Sequence, residues 1–159
     1  MKKTIVTLSA LVLSVLALTV SAQKRGTGTS YVNALGLRVD FGDGGTLVGF
    51  SGKHFFSPTG AGEAYVLFGN HTTLIGAEYQ YHGAIQNAAG LKWNVGLGPN
   101  VAFYEGGGSN FFIRPMLGLD YKIANVPLNL GFDWRPLIRV THGSDFEPAR
   151  FGLAFRFTL

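Results

Sequence analysis

Beyond the first thirty residues the chain alternates apolar and polar positions with a period of two, in runs of about ten residues closed by Gly, Asn or Pro, the pattern of half-buried strands. A first strand, Ser30 to Phe41, carries Leu35, Leu37, Val39 and Phe41 on one face and Gly36, Arg38 and Asp40 on the other. Asp43-Gly44-Gly45 supplies a tight turn. A second strand, Thr46 to Phe55, sets Val48 and Phe50 against Gly49, Ser51 and Lys53, and Ser57-Pro58-Thr59-Gly60 turns the chain back. A third, Glu63 to Asn70, is mostly apolar and its pattern leaves the facing open. The fourth alternates Ile75, Ala77, Tyr79 and Tyr81 with Gly76, Glu78, Gln80 and His82. After a loop at Gln86 to Gly90 the fifth sets Leu91, Trp93, Val95, Leu97, Val101 and Phe103 against Lys92, Asn94, Gly96, Gly98, Asn100 and Ala102. The sixth opposes Ile113, Leu117, Leu119 and Tyr121 to Arg114, Gly118 and Asp120. The seventh opposes Leu128, Leu130, Phe132 and Trp134 to Asn129, Gly131, Asp133 and Arg135. The eighth, Arg150 to Leu159, presents Phe151, Leu153, Phe155, Phe157 and Leu159 on one face.

The beginning of the chain follows a different rule. Lys2 and Lys3 precede an apolar stretch from Ile5 to Val20, and Val20-Ser21-Ala22 offers small residues where a signal peptidase reads. Residues 1–22 therefore read as a signal peptide, 23–29 as a Gly- and Thr-rich lead-in, and 30–159 as one β-barrel domain. The stretch is short for a helix across about 30 Å of hydrocarbon. Setting the leader aside removes two lysines from the 13 Lys+Arg, leaving 11 against 9 Asp+Glu. The basic balance thus owes much to the leader and does not point to nucleic acid. With no cysteine, disulfides, thiolate metal sites and cysteine nucleophiles are excluded.

Alternation alone does not say which face is inside. A soluble, lipocalin-like carrier would turn its apolar faces inward around a ligand. Two features favour the inverse. The polar faces hold many glycines and alanines, which crowding inside a narrow barrel explains. The apolar faces carry Trp, Tyr and Phe near strand ends, where interfacial girdles sit. The expected fold is an all-β, eight-stranded, antiparallel up-and-down transmembrane barrel, whose bore is filled by side chains.

The end of the chain carries the sharpest motif. In Arg150-Phe151-Gly152-Leu153-Ala154-Phe155-Arg156-Phe157, a polar residue is followed by Gly two positions on and by two aromatics in alternate register. This resembles the C-terminal assembly signal of outer-membrane barrels, with Arg150, Gly152, Phe155 and Phe157 at the matching positions and Leu159 where Phe is commoner. Asn33-Ala34-Leu35-Gly36-Leu37-Arg38, Gly52-Lys53-His54-Phe55 and the run from Val126 to Pro136 resemble segments of the outer-membrane β-barrel domain family of small Gram-negative barrels. The resemblance implies a cell outer-membrane location reached through the signal peptide. It also implies insertion by the barrel-assembly machinery and contact with outer-membrane lipid and lipopolysaccharide. It brings little about activity.

Inside such a barrel, Arg38, Lys53, Lys92, Arg114, Arg135 and Arg156 would meet Asp40, Glu78, Asp120 and Asp133, with Glu63 joining if the third strand turns it inward. Confined charges must pair or cost several kcal/mol each, so a salt-bridged plug is the expectation for the lumen. The expected role is structural, or interaction through surface loops at 43–45, 70–72, 105–110 and 141–148, by a monomer without cofactor, metal, nucleic-acid partner or enzymatic activity. His54, His71, His82 and His142 share no metal-ligand spacing, and Gly36, Gly96 and Gly98 precede no helix that would make a phosphate loop. The alternatives are the soluble lipocalin-like carrier and a lipid A-modifying hydrolase, to which His142-Gly143-Ser144 with Glu147 would supply base, nucleophile and orienting carboxylate. Pro99 and Pro115 interrupt the fifth and sixth strands. If the hairpin centres on Gly107 they face each other, and a ladder break above the hydrocarbon zone is expected there.

Overall fold

The structure, a computed structural model, describes residues 31–141 and 145–159. The expected signal peptide (1–22) and lead-in (23–29) lie outside the described residues, as do His142, Gly143 and Ser144. The strand segments are β1 (Asn33–Gly42), β2 (Leu47–Phe55), β3 (Gly60–Gly69), β4 (Thr72–Ala84), β5 (Leu91–Tyr104), β6 (Ser109–Lys122), β7 (Leu128–Trp134), β8 (Leu137–Arg139), β9 (Asp145–Glu147) and β10 (Arg150–Thr158). Every pairing is antiparallel: β1 to β6 each pair with the next segment, and β10 pairs with both β7 and β1. The β1–β10 ladder runs from Ala34↔Thr158 to Gly42↔Arg150 and closes the sheet on itself. Since β7 and β8 both lie along β6, and β9 and β10 along their other side, the ten segments form eight staves. The closed, eight-stranded, up-and-down barrel follows the strand pattern of the sequence.

The barrel is inverted relative to a soluble carrier. Arg38 and Asp40 on β1, Glu78 and Gln80 on β4, Arg114 and Asp120 on β6, and Asp133 on β7 are all buried. Their neighbours Leu37, Phe50, Tyr79, Leu97, Leu117, Phe132 and Phe155 are exposed, Phe50 to 66%. The interior that an apolar ligand would need is therefore occupied by charge. On β3, Ala61, Glu63, Tyr65 and Leu67 point inward and Ala64 and Phe68 outward. The pattern left this facing open because inward Tyr65 and Leu67 are apolar like the outward set.

The two ends of the lumen differ. At the end bearing the turns 43–46, 70–71 and 105–108, called here the far end, Leu67, Leu74, Ala102, Phe112 and Leu137 pack with the Tyr65 ring into an apolar cluster, with Leu47 against it. At the terminal end, where β1 starts and β10 stops, the connections are 56–59, 85–90 and 123–127. The six-residue connection at 85–90 is longer than the Asn70-His71 turn of the far end, as the sequence indicated.

The prolines break ladders, but on different sides from those expected. β5 and β6 pair without interruption, with Pro99 opposite Ile113 and Pro115 opposite Leu97, so the two do not face each other. Instead, β4–β5 pairing lapses between Gly76↔Asn100 and Tyr79↔Leu97, where Pro99 brings no N–H to Ala77. On the other side of the hairpin, β6 pairing lapses between Ile113↔Ile138 and Leu117↔Trp134, a gap whose register sets Pro115 against Pro136. Pro99 lies between exposed Phe103 on one side and exposed Leu97, Val95 and Trp93 on the other, so the break falls within the apolar band and not beyond it. A second irregularity was not foreseen. Arg150 faces Arg135, but Glu147 faces Leu137, so the Pro148-Ala149 side carries one extra residue, a β-bulge. The bulge lets β8 and β9 continue as a hairpin where the sequence suggested only a loop.

Candidate functional site

The lumen is the candidate site, because inward-facing rows on β1, β2, β3, β4, β6, β7 and β10 deliver ionisable groups into one enclosed column. Beginning at the far end, Arg150 binds Asp40 at 2.7 Å and Asp40 binds Arg114 at 2.6 Å. Arg114 Nη1 donates to the Tyr65 hydroxyl at 3.5 Å, and that hydroxyl donates to Glu78 at 2.6 Å. Glu78 binds Arg135 at 3.1 Å, and Arg135 in turn binds Asp133 through Nε. Asp133 binds Arg38 at 2.5 Å, and Arg38 binds Glu63 at 2.7 Å. Glu63 also binds Arg156, which stands 4.0 Å from Asp120, and Asp120 binds Lys53 at 2.8 Å. The column is thus a single alternating series of cations and anions running from the far end to the terminal end, with the Tyr65 hydroxyl as its one neutral link.

Neutral side chains add to the hydrogen bonding, while Arg38 Nε and Arg114 Nε find no partner among the described residues. Gln80 donates to Glu63 at 2.8 Å, Asn129 donates to Asp120 at 2.8 Å, and Arg156 donates to Ser51 Oγ at 3.1 Å and to Asn129 Oδ1 at 2.9 Å. The Arg135 carbonyl, which sits where the β6 ladder lapses, accepts from Arg114 at 2.9 Å. A backbone acceptor beside the lapse is thereby paired from inside the lumen. Such cross-links matter because a buried ion pair gains only if its remaining donors and lone pairs are also met. The guanidinium suits this role, since its fork can bind two carboxylates at once. Arg38 does so with Glu63 and Asp133, and Arg135 with Glu78 and Asp133.

The structure brings together Arg38, Asp40, Lys53, Glu78, Arg114, Asp120, Asp133, Arg135 and Arg156, the charges read from the sequence as lumen-facing. Glu63 joins them, touching Arg38 and Arg156 and lying 3.7 Å from Lys53. Lys92 stands apart. It is half-buried at the terminal end with its ammonium 5.0 Å over the Phe55 ring, and it has no carboxylate within salt-bridge distance among the described residues. Arg150, a residue of the terminal motif, is also buried and anchors the far end of the column. The signal for that role was available in its alternation with outward Phe151. In the same motif Gly152 faces inward, while Phe155 and Phe157 face outward. A Cβ on Gly152 would come within 2.4 Å of Asp133 Oδ1, 2.6 Å of Arg38 Nη2 and 3.0 Å of Arg135 Nε. The glycine leaves the space in which three charged groups converge. Of the residues considered for hydrolysis, Glu147 is half-buried on β9, and His142 and Ser144 lie outside the described residues. No group of three or more metal-ligating side chains occurs among the described residues.

No family model and no curated protein matches the chain. Among solved structures, the N-terminal β-barrel domain of Pseudomonas aeruginosa OprF superposes with a TM-score of 0.61 at 16% identity, covering 80% of this chain and 100% of that one. The fold is that of a small outer-membrane β-barrel. Neisserial surface protein A (NspA) is also similar, with a TM-score of 0.44 at 18% identity over 85% of this chain and 100% of that one. At these identities the likeness concerns backbone architecture alone.

Proposed function

We propose that the protein is an integral protein of the cell outer membrane, a monomeric barrel whose lumen is sealed by its ion pairs and whose role is structural or exercised through its surface loops. The single observation that carries the sealing is the alternating column, in which Arg38, Asp40, Arg114, Arg135 and Arg156 are all at most 2% exposed. An ion entering would have to separate charges already paired in a poorly hydrated space, at a cost of several kcal/mol per ion. The apolar cluster at the far end adds a layer without polar partners for water. Membrane insertion is supported by the outward apolar band and by exposed aromatics near its borders, Tyr79, Tyr81 and Trp93 toward the terminal end and Phe68, Phe103 and Phe111 toward the far end.

In this reading the terminal end faces the periplasm and the far end the exterior. The assembly machinery reads β10 through Gly152, Phe155 and Phe157, and lipid and lipopolysaccharide surround the wall. The outer turns 43–46, 70–71 and 105–108 are short, which suits a compact surface element better than a large receptor. Separating the membranes of cells that make the protein, and running the outer-membrane fraction unboiled and boiled on a gel, tests the location. A band there that shifts on boiling is expected. A soluble band with no heat shift would overturn the proposal.

A further inference from the structure

Tyr31 precedes β1 and belongs to no ladder, yet its side chain enters the terminal end of the lumen. Its hydroxyl donates to the Asp120 carboxylate on β6, 2.9 and 3.1 Å from the two oxygens. Its ring meets Phe55 edge-on, with centroids 5.1 Å apart. Phe55, inward at the end of β2, packs on the His82 ring of β4 at 4.7 Å. The approach to β1 is fixed by one backbone bond, from the Phe55 N–H to the Val32 carbonyl at 2.8 Å. Contributions from the lead into β1, from β2 and from β4 therefore converge on one mouth.

What lies beneath these rings is polar. Lys53, His82, Asn94 and Asp120 are all buried, and His82 Nδ1 and Asn94 Oδ1 find no hydrogen-bond partner among the described residues. Asn94 faces His82 on one side and Gly118 on the other, one inward position deeper than Lys92 and Asp120. Buried polar atoms left without partners attract water when a path exists. At this mouth Tyr31 is bonded to Asp120, the carboxylate that also holds Lys53.

We propose that Tyr31 is a tethered stopper: the residue ahead of β1 closes the terminal mouth of the lumen, and displacing it exposes the polar interior around Asn94 and Lys53. The inference rests on the sealed-lumen reading and adds which element does the sealing at this end. Every other sealing group is carried by a strand whose backbone is locked into a closed sheet. Tyr31 is held by one charge-assisted hydrogen bond and one edge-on aromatic contact. It is the part of the closure that opens locally without unfolding the barrel, and anything that pulls on the preceding residues moves it.

The chain has no cysteine, so Asn94→Cys places a single thiol behind the stopper. Its reaction with a small methanethiosulfonate reagent is followed in the detergent-folded barrel, alone and combined with Tyr31→Ala or Tyr31→Phe. Ser109→Cys, at the exposed start of β6 beside the far-end turn, gives the rate of a free thiol. Heat modifiability on a gel verifies that each variant is folded. The thiol of Asn94→Cys is expected to react slowly, Tyr31→Ala to speed it by about tenfold or more, and Tyr31→Phe, which keeps the ring and loses the bond to Asp120, to fall between. Equal rates with and without Tyr31→Ala overturn the stopper, and a slow rate in both leaves the sealed lumen intact. If Asn94→Cys alone reacts as fast as Ser109→Cys and the unaltered barrel also conducts steadily, stopper and sealing fail together.

Discussion

Gly152 illustrates how a single missing side chain organises the lumen. Arg38, Asp133 and Arg135 converge on the space where its Cβ would stand, so Gly152→Ala must push apart two ion pairs. Overpacking of this kind costs about 1–3 kcal/mol, and the urea midpoint of the folded barrel is expected to fall accordingly. An unchanged midpoint would mean that the charges relocate freely. Asp133 makes the sharper case, because it is shared between Arg38 and Arg135. Asp133→Asn leaves two buried guanidiniums with one full carboxylate partner each, Glu63 and Glu78. Loss of one partner of a buried pair typically costs about 3–5 kcal/mol. Urea unfolding is expected to show a loss of that order, and a change of under about 0.5 kcal/mol, the scale of a surface substitution, would contradict the column as drawn. Which groups lie inside was legible from alternation around Arg38, Asp120 and Asp133. Which cation meets which anion was not, since Arg38 joins Glu63 on β3 to Asp133 on β7, and the register of a lone strand carries no information across the bore.

Among the elements, the regular strands were readable and the irregular ones were not. The outward faces of β4 and β5 alternate cleanly, so their facing follows from period two alone. β3 fails that test for a physical reason: its inward Tyr65 and Leu67 belong to the apolar layer at the far end, which removes the contrast between its two faces. The same ambiguity obscured Glu63, the acid that touches both Arg38 and Arg156. Prolines were visible as interruptions, but their partners depend on hairpin register. With the β5–β6 hairpin set by Phe103↔Ser109, Pro99 and Pro115 lie two positions out of register and each breaks the ladder on its far side. Supplying the missing donor should mend the break. Pro99→Val is expected to raise the unfolding midpoint by restoring a bond to Ala77, by about 1 kcal/mol if the geometry relaxes to accept it. A lowered midpoint would show that the break is fixed by the close approach of Gly98 to β4. The bulge at Pro148-Ala149 left no trace in the alternation, because it offsets β9 and β10 by one residue within a stretch too short to show a period.

At the scale of the whole molecule, the inverted barrel, the polar column and the two differently closed ends form one account. Fold class and strand number were accessible because a closed sheet of eight staves imposes one pattern along all of its strands. The layering of the lumen was not, since it depends on the height at which each inward residue sits. That layering has a functional consequence. The column of paired charges has Leu67, Leu74, Phe112 and Leu137 packed at one mouth and Tyr31 against Phe55 at the other, and the proposal is that this arrangement seals the lumen. The most direct test is the current across a planar lipid bilayer containing the purified, folded barrel at neutral pH. No stable conductance steps above the leak of the protein-free membrane are expected. Uniform, long-lived, ohmic steps from the unaltered chain would show that ions pass the column, and that the lumen is a pore.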